Sequence, residues 1–382
     1  MSRAALTIAV VFALLGGAVS VLPARALEWR STHAVTTQAN SDSNLYMSAE
    51  AEKSAEYANV SVQADATARG PGLSLDFASA VRAVRYAEDA QDDRNDGSAD
   101  FGLGWTKSRQ SVSFGARYEQ ESTLTSEFES SGVRGDVERA QRGVDAAYTR
   151  ALSAERSLGI SVSNVDTAYG DSEVSPVPLY RDYDETSVQL SHRVARTERV
   201  TWSTVASKSF VDAPVAAADS TTTALSSSWS VGISQRLTGT FGVGAFMVDY
   251  VGAASEDLSP SYSFALTRQW LRWSANVSAG RDARPQSGGL VVVEDAVSLG
   301  AEWTAREYLS VGMYLRGAHT SSPLAGLLDF ERTYSTAGVT VNWRAARRLA
   351  LAASVYERAE DTSFTRRANG LVGSVSLTYR GG

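Results

Sequence analysis

Apolar and polar residues alternate one by one along most of this chain. In 297–304, Val297, Leu299, Ala301 and Trp303 share one parity, and Ser298, Gly300, Glu302 and Thr304 share the other. The split repeats at Leu309, Val311, Met313 and Leu315 against Ser310, Gly312, Tyr314 and Arg316. It recurs at Ala337, Val339, Val341 and Trp343 against Gly338, Thr340, Asn342 and Arg344, and at Val112, Phe114, Ala116 and Tyr118 against Ser113, Gly115, Arg117 and Glu119. Successive side chains of a strand point to opposite faces, so a period of two predicts strands with one greasy and one wet face.

Such segments run from Trp29 to the C-terminus, at 29–40, 55–67, 72–85, 98–106, 109–119, 137–150, 155–166, 184–194, 198–209, 223–235, 239–250, 259–269, 271–281, 293–304, 307–317, 332–344, 348–358 and 369–380. That makes about 18 strands, within an expected 16 to 18, and an even number suits a single-chain bacterial barrel. The segment 137–150 strains the pattern, because Arg142 shares the parity of Ala140, Val144 and Tyr148. A bulge there would turn the charge away from lipid.

Alternation alone also suits a soluble sandwich. The connections separate the two. Short links at 106–109, 195–198, 236–239, 304–307 and 344–348 alternate with long ones at 87–98, 120–136, 167–182, 211–222, 281–292 and 318–331. Short periplasmic turns and long external loops are the rhythm of outer-membrane barrels. The fold class expected is all-β, a single transmembrane antiparallel up-and-down barrel.

Aromatic residues follow the same division. Trp105, Trp202, Trp270, Trp273, Trp303 and Trp343 lie within a few residues of a short turn, and Trp29 opens the first strand, which predicts a membrane-interface girdle; Trp229 sits mid-strand. Tyr86, Tyr118, Tyr250 and Tyr356 run into long loops and predict a second girdle.

Short turns carry Lys107, Arg109, Arg193, Arg196, Arg199, Arg236, Arg268, Arg272, Arg306, Arg344, Arg347 and Arg348. Long loops carry Glu88, Asp89, Asp92, Asp93, Asp96, Asp171, Glu173, Glu256, Asp257, Asp329, Glu331, Glu360 and Asp361, read as solvated loop charge. The expected interior carries Asp76, Arg82, Arg117, Glu119, Glu302, Arg316 and Arg344, both signs together, so no strong ion selectivity is expected.

At the N-terminus, Arg3 precedes an apolar run from Ala4 to about Ser20, and Ala24, Arg25 and Ala26 place small residues at the two positions a signal peptidase reads. Residues 1–26 are expected to be a signal peptide and 27–382 the barrel. No later stretch is apolar enough for a helical span. There is no cysteine, hence neither a disulfide framework nor a lipid-attachment site. A net charge of -7 and a pI near 5.2 supply no basic patch for nucleic acid.

Chemistry is hard to find. His33, His192 and His319 are not spaced as metal ligands, and no Gly-x-Ser-x-Gly elbow occurs. The run Gly102, Leu103, Gly104, Trp105, Thr106, Lys107, Ser108 fails as a phosphate loop because Thr106 stands where glycine must precede the lysine. No catalytic residue, cofactor or metal is expected. A barrel-embedded hydrolase with a site assembled from several strands is the weaker alternative.

Three stretches, SDSNLYMSAEAEKSAEY at 41–57, ARGPGLSLDF at 68–77 and LYRDYDETSVQLSHRVARTERVTWS at 179–203, carry a resemblance. The chain resembles the porin-like outer-membrane barrels found with exopolysaccharide and exosortase (PEP-CTERM) systems. The resemblance implies export or surface display of a polysaccharide. It competes with a passive diffusion pore and with a closed structural or adhesive barrel acting through acidic loops. The partners expected are outer-membrane lipid and lipopolysaccharide, the barrel-assembly machinery, and polysaccharide or small solutes.

Overall fold

A computed structural model describes residues 27–49, 52–87, 93–126, 136–170, 180–213, 219–251, 258–286, 289–321, 331–362 and 365–381. The signal segment 1–26 lies outside the described residues, as do the loop acids Glu88, Asp89, Asp92, Asp171, Glu173, Glu256, Asp257 and Asp329.

The strands are β1 (Glu28–Asp42), β2 (Ala55–Gly70), β3 (Leu73–Tyr86), β4 (Arg94–Lys107), β5 (Gln110–Ser122), β6 (Glu138–Ala151), β7 (Arg156–Tyr169), β8 (Tyr183–Thr197) and β9 (Val200–Asp212). They continue as β10 (Ser220–Ser234), β11 (Leu237–Tyr250), β12 (Ser259–Gln269), β13 (Trp273–Pro285), β14 (Val291–Arg306), β15 (Leu309–Ser321), β16 (Glu331–Ala346), β17 (Leu349–Thr362) and β18 (Thr365–Gly381). One helical turn, Thr123–Ser126, follows β5.

Each strand pairs antiparallel with its neighbour in sequence, and β1 closes on β18 from His33↔Gly381 to Asp42↔Val372. The sheet of 18 strands is a closed up-and-down barrel. Closure leaves no unpaired edge, which is what a sheet in hydrocarbon requires. Both ends of the described chain lie at the short-turn end.

The strands are longer than the alternation alone suggested. They run from 11 residues in β12 to 17 in β18, whereas about 9–11 tilted residues cross a bilayer. β17 and β18 continue to Thr362 and back from Thr365, through what was expected to be a loop at 359–368. The apolar parity fades where the sheet leaves lipid, but the hydrogen-bond ladder goes on.

Side chains sort by parity. Val60, Val62, Phe114, Ile160, Leu190, Leu225, Val243, Leu299, Leu315 and Val375 are all exposed on the outer face. A belt of that kind is solvated by lipid, not water. No bulge interrupts β6 in its pairing with β5 or β7, so Arg142 does point outward; it is 3.9 Å from Asp166 on β7. The charge is met by an ion pair, not by a change of register.

Candidate functional site

The inner parity forms the other surface, and its character changes around the ring. From β7 to β13 it is mostly serine: Ser161, Ser163, Ser187, Ser203, Ser228, Ser263 and Ser278 face the axis in register. Hydroxyls pair across strands, as at Ser163 and Ser187 (2.8 Å) and Ser203 and Ser228 (2.8 Å). The inner charges described on these strands are Glu185, Arg193, Asp282 and Arg284, all toward strand ends.

From β14 through β18 and β1 to β6 the wall is ionic. Asp76 on β3 accepts two hydrogen bonds from Arg69, at 2.6 and 3.0 Å. Arg82 donates to Asp96 at 2.8 Å through Nε. Arg117 donates to Glu119 at 3.0 Å and lies 3.7 Å from Asp100. Arg316 is 3.8 Å from Glu294, which Arg284 also contacts. Glu302 faces the interior opposite Gly312, with no ion pair among the described residues. Arg344 occupies the inner parity of β16 near the short turn, opposite Ala350.

Several members of this wall were not found by sequence reasoning. Asp96 and Glu360, expected in solvated loops, lie on strands and face inward, buried against arginines. Arg332 and Glu360 are 2.9 Å apart with side chains only 1% exposed. Arg358 on β17 donates to both Asp42 oxygens, at 2.8 and 2.6 Å. Following the parity of β17 beyond Tyr356 would have found Arg358 and Glu360.

Two segments fold into the long-loop end of the barrel. After β1, Asp42 accepts the Asn44 backbone N–H at 3.0 Å, while the Asn44 amide donates to Ser48 O (2.9 Å) and Asn369 O (3.0 Å). This staple seats Met47 against Tyr334 and Ala368. Opposite, the first residues of β14 reach across the mouth. Val291 and Val293 pack on Tyr183, Val211, Ala213, Phe246, Val248 and Tyr250, and Tyr250 Oη donates to Val291 O at 2.8 Å. Gly289 permits the approach: its φ is +77°, and a Cβ would stand 3.1 Å from Ala213 and Val211. The mouth is narrowed from two sides.

Of the tyrosines expected in a second outer girdle, Tyr86, Tyr250 and Tyr356 face inward instead. Each shares the parity of polar or glycine positions of its strand: Arg82, Gly242 and Ser354 respectively. Tyr118 does face out, donating to Gln120 at 2.7 Å. At the short-turn end, Trp29, Trp105, Trp202, Trp273, Trp303 and Trp343 occupy the outer parity, and Trp270 lies in the β12–β13 turn with Arg268 over its ring at 4.6 Å. Trp273 and Trp303 stack at 5.7 Å. Trp229 is directly opposite Trp202 in the ladder, so it lies at the level of the others and not in mid-wall.

His33, His192 and His319 fall on the outer parity of separate strands, and no group of three metal-ligating side chains occurs among the described residues. No described helix is long and apolar enough to cross a membrane.

No family model matches the sequence, and no curated protein does. Solved structures do match in fold. Acinetobacter baumannii OccAB4 aligns with a TM-score of 0.55 at 9% identity, over 94% of this chain and 100% of that one. Pseudomonas aeruginosa OccK2 (OpdF), solved in complex with glucuronate, aligns at 0.52 with 12% identity, over 92% and 98%. Pseudomonas aeruginosa OpdQ aligns at 0.52 with 9% identity, over 92% and 97%. These are outer-membrane porins. The fold is a porin fold. A closed barrel of this kind, with an apolar belt outside and charge inside, belongs to the outer membrane of a Gram-negative bacterium.

Proposed function

We propose that this chain is a porin-like, non-enzymatic channel that lets small polar solutes cross the outer membrane. The observation that supports it most is the ionic and hydroxylated inner wall of an 18-strand ring, since barrels of about 16 to 18 strands leave an aqueous lumen unless something fills it. Asp76, Arg82, Arg117, Glu119, Glu302, Arg316 and Arg344 are then lumenal charges. The tryptophans at the short-turn end are the periplasmic interface girdle, and lipid, lipopolysaccharide and the assembly machinery are the partners. Single-channel recording of the refolded chain tests this reading: discrete ohmic steps are expected, and a heat-modifiable barrel that never conducts would end it.

The inward packing at Met47 and at Val291 and Val293 favours a second reading, a closed structural or adhesive barrel. The same recording separates the two. A finer reading, service to exopolysaccharide export or display, rests on the sequence phrases at 41–57, 68–77 and 179–203, and the gene's neighbourhood tests it. Orientation has its own test. A cysteine at Asp93 should take an impermeant label on intact cells and one at Arg347 should not.

A further inference from the structure

The ionic wall contains a recess of about 420 Å3 below the stapled loop, a volume in the range of small-molecule sites. Five tyrosines line it, and four of them form two pairs. Tyr57 and Tyr86 lie 5.2 Å apart on β2 and β3. Tyr314 and Tyr356 lie 6.5 Å apart on β15 and β17, with Gly338 of β16 between them. A Cβ at Gly338 would come within 2.6 Å of Tyr356 and 2.7 Å of the Tyr314 ring, so the glycine is what lets both rings lie over the strand.

The floor between the pairs is amide. Gln38 donates to the Asn40 side-chain oxygen at 2.7 Å, and Asn59 to Gln38 at 3.4 Å. The Asn40 Nδ2 group has no partner, although the residue is only 9% exposed. A buried amide donor without an acceptor is costly, so a small turn of the Asn40 side chain that brings it to a ligand oxygen in the recess is favoured. Among the described residues, the hydroxyls of Tyr57 and Tyr356 make no hydrogen bond either.

Charge decides the class of ligand. The arginines lining the recess are Arg82, Arg94 and Arg358. Arg82 is bonded to Asp96; Arg94 lies 3.5 Å from Asp96 and 3.7 Å from Asp136; Arg358 clasps Asp42. Three guanidiniums thus meet three carboxylates, so the recess offers an anionic solute no uncompensated positive charge. Flat amphipathic rings, a free amide N–H and compensated charge suit a solute with many hydroxyls, apolar C–H faces and no net charge.

We infer that this recess is a binding subsite for a neutral saccharide. The inference deepens the channel reading, which supplies the route by which the solute arrives. The probe is maltotriose, with glucuronate as the anionic comparison, applied to the refolded full chain in a planar bilayer and by calorimetry in detergent. Maltotriose should bind, and block current, at least about tenfold more tightly than glucuronate. Tyr57→Ala and Tyr356→Ala should abolish most of the effect. Asn40→Ala should weaken it about fivefold, the loss of one hydrogen bond.

Isosteric Asn40→Asp guards against misfolding and should also weaken binding. Ser228→Ala on the opposite wall should leave it unchanged. No maltotriose binding by either method, tighter binding of glucuronate, or wild-type binding by heat-modifiable Tyr57 and Asn40 variants would each overturn the inference. Binding by calorimetry without conductance would leave the subsite standing and remove the channel reading. Conductance without binding would do the reverse.

Discussion

The two walls of this barrel solve one problem in different ways. Both must keep a polar surface inside a sheet whose outer face is apolar. The β7–β13 wall does so with short hydroxyls that bond to one another, as Ser163 does with Ser187, and it needs almost no counter-charges. The β14–β6 wall uses long charged side chains, most of them in ion pairs, and these reach their greatest burial at Arg332 and Glu360. A serine can be lost without leaving anything stranded. A buried charge cannot. The ionic wall is therefore where single substitutions should matter most, and the serine wall is where new chemistry can be introduced.

The sharpest way to break this contrast is Glu360→Ala, which removes the carboxylate that Arg332 contacts at 2.9 Å in a site that is 1% exposed. Loss of one partner of a buried pair costs about 3–5 kcal/mol, to be read from denaturant unfolding in lipid vesicles. Ser228→Ala should cost no more than about 1 kcal/mol in the same assay. Equal losses at the two sites would show that the walls do not differ in the way described.

Next in size is a test of faces. Val311→Arg puts a charge into the lipid belt and should cost about 2–4 kcal/mol, whereas Gly312→Arg points inward. Room exists there, because the nearest atoms to a Cβ at Gly312 are backbone oxygens 3.9 and 4.0 Å away. Gly312→Arg should fold, keep heat-modifiability and change the conductance.

Gly289→Ala comes third. It forces a non-glycine residue to a φ of +77° and crowds Ala213, Val211 and Tyr183. A cost of about 1–3 kcal/mol is expected, confined to the hairpin tip and visible as faster hydrogen exchange at 289–293. The smallest energetic effect is reserved for Ser228→Arg, within about 0.5 kcal/mol if the new charge stays hydrated. Its readout is a shift of reversal potential toward anions, because the hydroxyl stretch around Ser228 carries no charge of its own.

Much of the barrel is legible in the amino-acid sequence. Parity alone marks Val311 as outward and Gly312 as inward, and it does so because a strand has no other option. The turn rhythm gave the strand number for a similar reason. What was hidden lay where parity continues but composition changes. Glu360 and Asp96 look like loop acids because the outer residues beside them have stopped being greasy, yet the ladder still carries them inward. Tyr86, Tyr250 and Tyr356 were misassigned by position along the strand when parity already pointed them inside. The recess could not be seen at all, since it joins β1–β4 to β15–β18 across the closure of the sheet.

That closure sets the order of events when the protein is made. The ladder from His33↔Gly381 to Asp42↔Val372 joins the beginning of the barrel to its end, and the Arg358–Asp42 clasp and the Asn44–Asn369 bond lie across the same seam. Every other strand pair joins neighbours in sequence and can zip in order, but this one must bring the first strand to the last. Until β18 arrives, both free edges remain templates for any passing strand. A chain halted before β18 would have most of its hydrogen bonds and none of its protection, and it should be lost to aggregation or proteolysis rather than accumulate as a smaller pore.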